Sequence, residues 1–338
     1  MSLPPSGEIP QGAIRFNTDS QKLEFYAQGE WWVMSTDTPN LGRSVDSTLG
    51  ARGLSAGGQT PSITDVINYI NIASTGDAVD FGDLVADTRL AAGCASATRG
   101  IFAGGASPSP TKTDKIDFVT ISSTGNASDF GNLTVERNQL ASLSNSTRGV
   151  VAGGDGPSLS DVMDFITIAS TGNAVDFGNL ISDNEQLAGC SSSVRGLFGG
   201  GSSPDNTNVI QFITISTTGN AQDFGDLTTV IDNAGSCSNP IRGIWGGGQD
   251  PSNIAIIGYV TIASIGNATL FGDLTAARRS LAGCSSSIRG VFMGGYSSSD
   301  LNTIDYIAIA SVGDAVDFGD LTATTRGNAG CSNAHGGL

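Results

Sequence analysis

Between Gly53 and Leu321 one segment of 47 to 49 residues recurs six times: Arg-Gly, an apolar pair, Gly-Gly, a loop, Ile-x-Tyr/Phe, Ile-Ala-Ser, Gly-Asn-Ala and Asp-Phe-Gly-Asp-Leu-Thr. The opening arginines are Arg52, Arg99, Arg148, Arg195, Arg242 and Arg289, and the turn glycines are Gly76, Gly125, Gly172, Gly219, Gly266 and Gly313. Both series advance by 47 residues with a single step of 49. A period this regular, built of short strand patterns and Gly-rich turns, belongs to repeat architectures, and at this length to β-propeller blades. Function then has to lie in what differs between the copies.

Each copy reads as four strands. In the copy around Arg289 they are Leu281–Ser285, of small residues; Gly290–Gly294; Thr303–Ala310, with period-two alternation; and a short strand 315–321 centred on Phe318. Gly-Asp-Ala makes the tight turn between the third and fourth. The 47 glycines and the low charged fraction suit such turns and not long helices. Six copies of strands two to four, followed by a C-terminal first-strand segment TTRGNAGCSNAHGGL, predict an all-β fold. In it the last strand pairs with the first copy and removes two sheet edges. Seven units would require residues 1–50 to supply the missing strands.

The layout resembles the kelch repeat over residues 43–338. An Arg stands ahead of the first strand (Arg89, Arg137, Arg278 or Arg279, Arg326), Gly-Gly ends the second and an aromatic lies in the third. Two features depart from that pattern: Phe replaces the fourth-strand Trp, and Arg-Gly precedes the second strand. The resemblance implies a six-bladed kelch-like β-propeller and no particular activity.

The formal net charge of −16 opposes nucleic-acid binding. No run reaches the roughly 20 apolar residues of a membrane helix, and since the first residues show neither a basic n-region nor an apolar h-region, no Sec-type export signal is expected. Cys94, Cys190, Cys237, Cys284 and Cys331 share one slot, which Leu143 fills in the remaining copy. Packing therefore explains them better than chemistry, and five buried free thiols are expected, as in a reducing cytoplasm.

The arginines of the Arg-Gly pairs and an acidic series, Asp80, Asp129, Asp176, Asp223 and Asp317, with Leu270 in the fifth copy, suggest a lattice of ion pairs between repeats. The Leu270 copy should then leave Arg242 or Arg289 with a different partner. Calcium at Asp-x-Gly-Asp is the weaker reading, since no EF-hand or nonapeptide spacing is present. No cofactor and no metal are implied. The single histidine, His335, reads as a substitution in the slot where other copies carry the Arg of Arg-Gly rather than as the general base of a catalytic triad, and His-cluster metal sites need more histidines than this. The chain is therefore expected not to be an enzyme.

The loops between strands two and three vary, while the opposite turns hardly do. They hold Pro61, Pro108, Pro110, Lys112, Pro157, Pro204, Asp205, Pro251 and Tyr296, which become the candidate recognition residues.

Residues 1–42 form a different unit, with strands expected over Ala13–Asn17, Lys22–Tyr26 and Glu30–Met34 and a linker over 36–41. Its pattern Gly-x-Ile-Arg-Phe-Asn-Thr-Asp, Leu-Glu-Phe-Tyr, Gly-x-Trp resembles a short β motif of bacteriophage tail and fibre proteins. The Gly-Asn-Ala-x-Asp-Phe-Gly arrays resemble those of marine-phage (cyanophage-type) virion proteins. These resemblances imply a virion protein, fibre- or spike-like, assembled in the host cytoplasm. Its N-terminal β-meander would attach to other virion proteins or oligomerise, and its repeat domain would contact a host-surface glycan or protein. A decoration or baseplate component without a receptor is the alternative, and a carbohydrate-active enzyme a third.

Overall fold

The computed structural model describes Pro10 and residues 12–17, 22–27, 29–33, 51–108 and 112–338. The chain divides into two units, Met1–Gly50 and Ala51–Leu338. The expected boundary at 42/43, the 36–41 linker and Pro110 lie outside the described residues.

In the first unit Ile14–Asn17, Lys22–Ala27 and Glu30–Val33 form an antiparallel meander in sequence order. Alternation sorts its side chains by face. Arg15 bonds Glu24 at 2.8 Å and covers the Trp31 ring at 4.1 Å, and Trp31 meets Tyr26 edge-on. Ile14, Phe25 and Trp32, aligned across the three strands, are exposed.

The second unit is all-β and contains six four-stranded antiparallel sheets, each in the strand order one-two-three-four, and a small hairpin of Gln59–Thr60 with Ser62–Ile63. Sheet I joins the C-terminal Ala329–Ser332 to Arg52–Ala56, Val66–Asn71 and Val79–Asp83, so the expected pairing of the last strand with the first copy is present. Sheet II is Ala92–Ala95, Arg99–Ala103, Lys115–Thr120 and Ser128–Asn132. Sheet III is Ala141–Ser144, Arg148–Ala152, Val162–Thr167 and Val175–Asn179. Sheet IV is Ala188–Ser191, Arg195–Gly199, Val209–Thr214 and Gln222–Asp226. Sheet V is Gly235–Ser238, Arg242–Gly246, Ile256–Thr261 and Thr269–Asp273. Sheet VI is Ala282–Ser285, Arg289–Met293, Leu301–Ala308 and Val316–Thr325.

The core is divided among six clusters, each straddling two consecutive sheets, and one of them joins sheet VI to sheet I through Ile70, Val291 and Phe318. The first strands touch in a closed cycle, I-II-III-IV-V-VI-I. Their small residues follow from that approach: a Cβ on Gly93 would lie 2.6 Å from the Gly330 carbonyl oxygen.

The Arg-Gly pair, foreign to the kelch pattern, is explained by two contacts between sheets. The glycine faces the cysteine slot of the preceding sheet; a Cβ on Gly53 would stand 2.6 Å from Cys284 Sγ, and one on Gly290 2.5 Å from Cys237 Sγ. Gly196 meets Leu143 in the same way. All five cysteines are buried and free. The arginine lies over the third-strand aromatic of its own sheet, at 4.3–4.9 Å, and its Nη1 donates at 2.7–3.1 Å to an isoleucine carbonyl of the next. The acceptors are Ile121, Ile168, Ile215, Ile262, Ile309 and Ile72, the last closing the cycle.

This corrects the expected ion-pair lattice. Asp80, Asp129, Asp176, Asp223 and Asp317 are exposed on the fourth strands, and no ion pair among the described residues joins them to Arg52, Arg99, Arg148, Arg195, Arg242 or Arg289. Aromatic faces and carbonyls hold the guanidinium groups without the desolvation that a buried carboxylate would demand. The Leu270 copy accordingly makes no difference to Arg242 or Arg289.

The remaining consensus residues also serve the joints. Each fourth-strand Phe meets the third-strand aromatic of its own sheet edge-on at 5.8–6.1 Å. The carbonyl of that Phe accepts, at 2.7–2.9 Å, the amide of the turn glycine of the following sheet, as in Gly125 to Phe81.

Candidate functional site

The connection entering each first strand carries one residue with left-handed backbone: Leu90, Gln139, Gln186, Asn233 and Ser280 at φ 51° to 60°, and Gly327 at 64°. Non-glycine residues in this region are strained unless their surroundings hold them there. Here the amides and carbonyls do so, each N–H donating to the preceding member's C=O at 2.7–3.0 Å until Leu90 closes on Gly327. Six equivalent positions thus form a collar of head-to-tail hydrogen bonds. Gln186 donates to Gln139 Oε1 and Asn233 to Gln186 Oε1, and Gln139 donates to Glu185.

Beyond the collar the first strands enclose a cavity of about 150 Å3 lined by alanine, glycine, serine and the buried cysteines. Its far end is a second chain of bonds. Ser144, Ser191, Ser238, Ser285 and Ser332 each donate Oγ–H to the carbonyl of the preceding sheet at 2.6–2.8 Å. Ala95 occupies the sixth slot. His335 Nε2 donates to the Ala95 carbonyl at 2.9 Å, and its Nδ1 accepts from Gly337 N, which defines the Nε2–H tautomer. Burial lowers the His335 pKa, and the bond to Ala95 opposes the shift. Counted from the cysteine slot, His335 stands one place before the Arg-Gly arginine, in line with Ile288 and Ile241, which corrects the expected substitution; it serves the channel end rather than an aromatic face.

The variable loops border the collar. Pro61, Pro108, Pro157, Pro204, Asp205 and Pro251 are exposed, and Tyr296 and Lys112 are half-buried. Contacts between neighbouring loops hold part of this face. Lys112 pairs with Asp155 at 2.8 Å and donates to the Gly156 carbonyl; Asn206 donates to Gln249 O; Asn253 donates to Tyr296 O and Ser297 O; Arg326 pairs with Asp300 at 3.4 Å. Pro61 and Pro108 line a surface hollow with Gln59 and Arg89.

Sequence reasoning named Arg89, Arg279 and Arg326 only as part of the repeat pattern and passed over Glu185 and Asp232, which together with them charge this face. One position per connection bridges to the neighbouring loop, and round the cycle it reads Arg89, Asn138, Glu185, Asp232, Arg279, Arg326. One half is therefore basic and the other acidic. On the basic side Tyr296 lies between two guanidinium groups, Arg279 at 5.1 Å and Arg326 at 4.9 Å. On the acidic side burial pushes the Glu185 carboxyl up, Asp155 and Asp232 add to this, and Lys112 opposes it. Asp232 is raised chiefly by burial, against the Asn233 hydrogen bond and Arg279. Aligning the residue three places before each first strand would have exposed the segregation of sign.

Among the described residues no three His, Cys, Asp or Glu side chains gather to hold a metal ion. The arrangement can offer an aromatic ring between two cations, hydrogen-bonding amides at a narrow mouth, and a separate acidic flank. No protein-family profile matches the sequence, and no curated protein matches it either.

Proposed function

We propose that the six sheets make a six-bladed, kelch-like propeller carried by a bacteriophage virion protein of fibre or spike type, and that its loop face contacts a host surface without catalysis. The observation that carries this reading is the contrast between constant joints and a variable face. Six near-identical interfaces fix the frame, while the loop face departs from the repeat in length, in proline placement and in charge. The group of Arg279, Tyr296 and Arg326 suits a sugar bearing a carboxylate or sulfate: the anion takes the guanidinium donors, which the Tyr296 ring beneath them holds side by side. Such a site is local, since the chain as a whole carries a net charge of −16.

The N-terminal meander supports the attachment half of the proposal. Its exposed strip of Ile14, Phe25 and Trp32 is apolar surface on a unit too small to bury it alone, suited to other virion proteins or to further copies of the chain. Multiple copies would let weak single contacts suffice, raising avidity by about 10² to 10⁴.

The test is binding of the labelled full chain to candidate host cells and their extracted anionic surface glycans. A variant with loops 106–114 and 202–208 trimmed to Gly-Ser and a second variant, Tyr296→Ala, would be measured alongside. Saturable binding that both variants lose is expected. A folded, multimeric preparation that binds nothing would leave the protein a structural decoration or baseplate component.

A further inference from the structure

Sheets III and VI each bury an ion pair at one position. In sheet III, Arg137 Nη1 donates to Gly153 O at 2.9 Å and Val162 O at 2.7 Å, and Nη2 to Asp164 Oδ2 at 2.6 Å. Thr134 Oγ1 donates to the other carboxylate oxygen at 2.7 Å. Sheet VI keeps the pair and the threonine with Arg278, Asp305 and Thr275, but there Arg278 Nη2 reaches the Phe292 carbonyl, at 3.4 Å. In sheets I, IV and V the carboxylate and the arginine are both gone: Asn68 stands with Thr325, Gln211 with Asn184, Gly258 with Ile231.

Sheet II alone keeps the carboxylate without the arginine. Asp117 is 9% exposed, Thr88 stands in the arginine's position and Val85 in the threonine's. Its one hydrogen bond among the described residues is from the Val85 amide to Oδ2, at 3.1 Å. Beside it is a cavity of about 400 Å3 whose lining includes Thr88, Gly104, Lys115 and Asp117, the counterparts of Arg137, Gly153, Val162 and Asp164. Exposed Val85 and Ala86 border it. The Lys115 ammonium is 3.5 Å from Asn132 Oδ1.

We infer that this cavity is a binding site for a guanidinium group supplied from outside the chain, seated on the Asp117 carboxylate and on the carbonyls of Gly104 and Lys115. The acceptor set is the one that already holds Arg137 in the adjoining sheet, and a planar fork of donors matches it as a compact ammonium does not. Burial pushes the Asp117 carboxyl up and exposed Asp129 adds repulsion, with the Val85 amide and the charge of Lys115 opposing; the net shift is upward, so a cation seated on the carboxylate relieves an existing cost. The inference does not depend on the host-surface reading.

The test is a titration of the 15N-labelled full chain with ethylguanidinium, followed at the amides of Val85, Gly104 and Lys115, with ethylammonium at equal ionic strength as control. Saturable shifts are expected with ethylguanidinium and at least tenfold weaker ones with ethylammonium. They should vanish in Thr88→Arg, whose own guanidinium fills the cavity, and in Asp117→Asn. Should the second variant not fold, the first still decides. Arginine amide and a Gly-Arg-Gly peptide then distinguish a small ligand from an arginine on a partner protein. Equal response to both amines, no saturation with either, or undiminished binding by folded Thr88→Arg would overturn the inference.

Discussion

The tightest constraints on single residues are places where a sulfur or a carbonyl leaves no room for a methyl group. Gly149→Ala would put a Cβ 2.8 Å from Cys94 Sγ and is expected to cost about 1–3 kcal/mol by overpacking. Adding Cys94→Ala should recover part of that loss, and a double-mutant cycle read by urea unfolding measures the coupling. His335 makes a pH prediction. Its folded pKa is depressed, so the unfolded state takes up the proton first, at about pH 6.5, and stability falls as pH drops from there through the folded value. The raised carboxylates Glu185 and Asp232 act in the opposite sense, so the difference between wild type and His335→Gln is the quantity to follow. The wild-type advantage in melting temperature should shrink between pH 8 and pH 5; a constant difference would mean that the imidazole is not held neutral. Sequence could not reveal these partners. The Arg52 acceptor is 69 residues away, and the collar positions Leu90, Gln139, Gln186, Asn233 and Ser280 share a backbone angle but span four residue types.

At the level of strands and sheets, much was legible. Alternation, the Gly-Gly stop and the Gly-Asp-Ala turn placed the four strands of the copy around Arg289 to within a few residues, because local φ requirements and period-two patterning are written locally. The pairing of Ala329–Ser332 with Arg52–Ala56 followed from the unmatched final segment. Charge was misread because Arg and Asp in register with the repeat suggested each other, when the aspartates point to solvent and the arginines cover aromatic rings. The buried pairs sit instead at Arg137–Asp164 and Arg278–Asp305. Arg137→Met should cost about 3–5 kcal/mol by stranding Asp164, while Arg137→Met with Asp164→Leu should be near neutral. Chemical denaturation of the three proteins checks this, and an equally unstable double variant would show that the pair itself stabilises sheet III.

The whole second unit is held by contacts that run from each sheet to the next and return to the first. Nothing in such an arrangement is terminal, so removing one strand should be felt everywhere. Deleting residues 327–338 strips sheet I of its first strand, the collar of Gly327 and the channel end of His335. The expected result is loss of the single cooperative melt. The thiols report on it independently. Burial pushes Cys94, Cys190 and Cys284 up to about 12, so in the intact chain all five should react with a disulfide reagent at pH 8 only on global unfolding, and in the truncated one without denaturant. The collar carries one more implication. Its six peptide dipoles chase one another round a circle, and their vector sum vanishes by the near-symmetry of the repeat, unlike the additive dipoles of a helix. A charged group arriving at that mouth meets a main chain that is electrically mute, and is sorted by the arginines on one side and the carboxylates on the other.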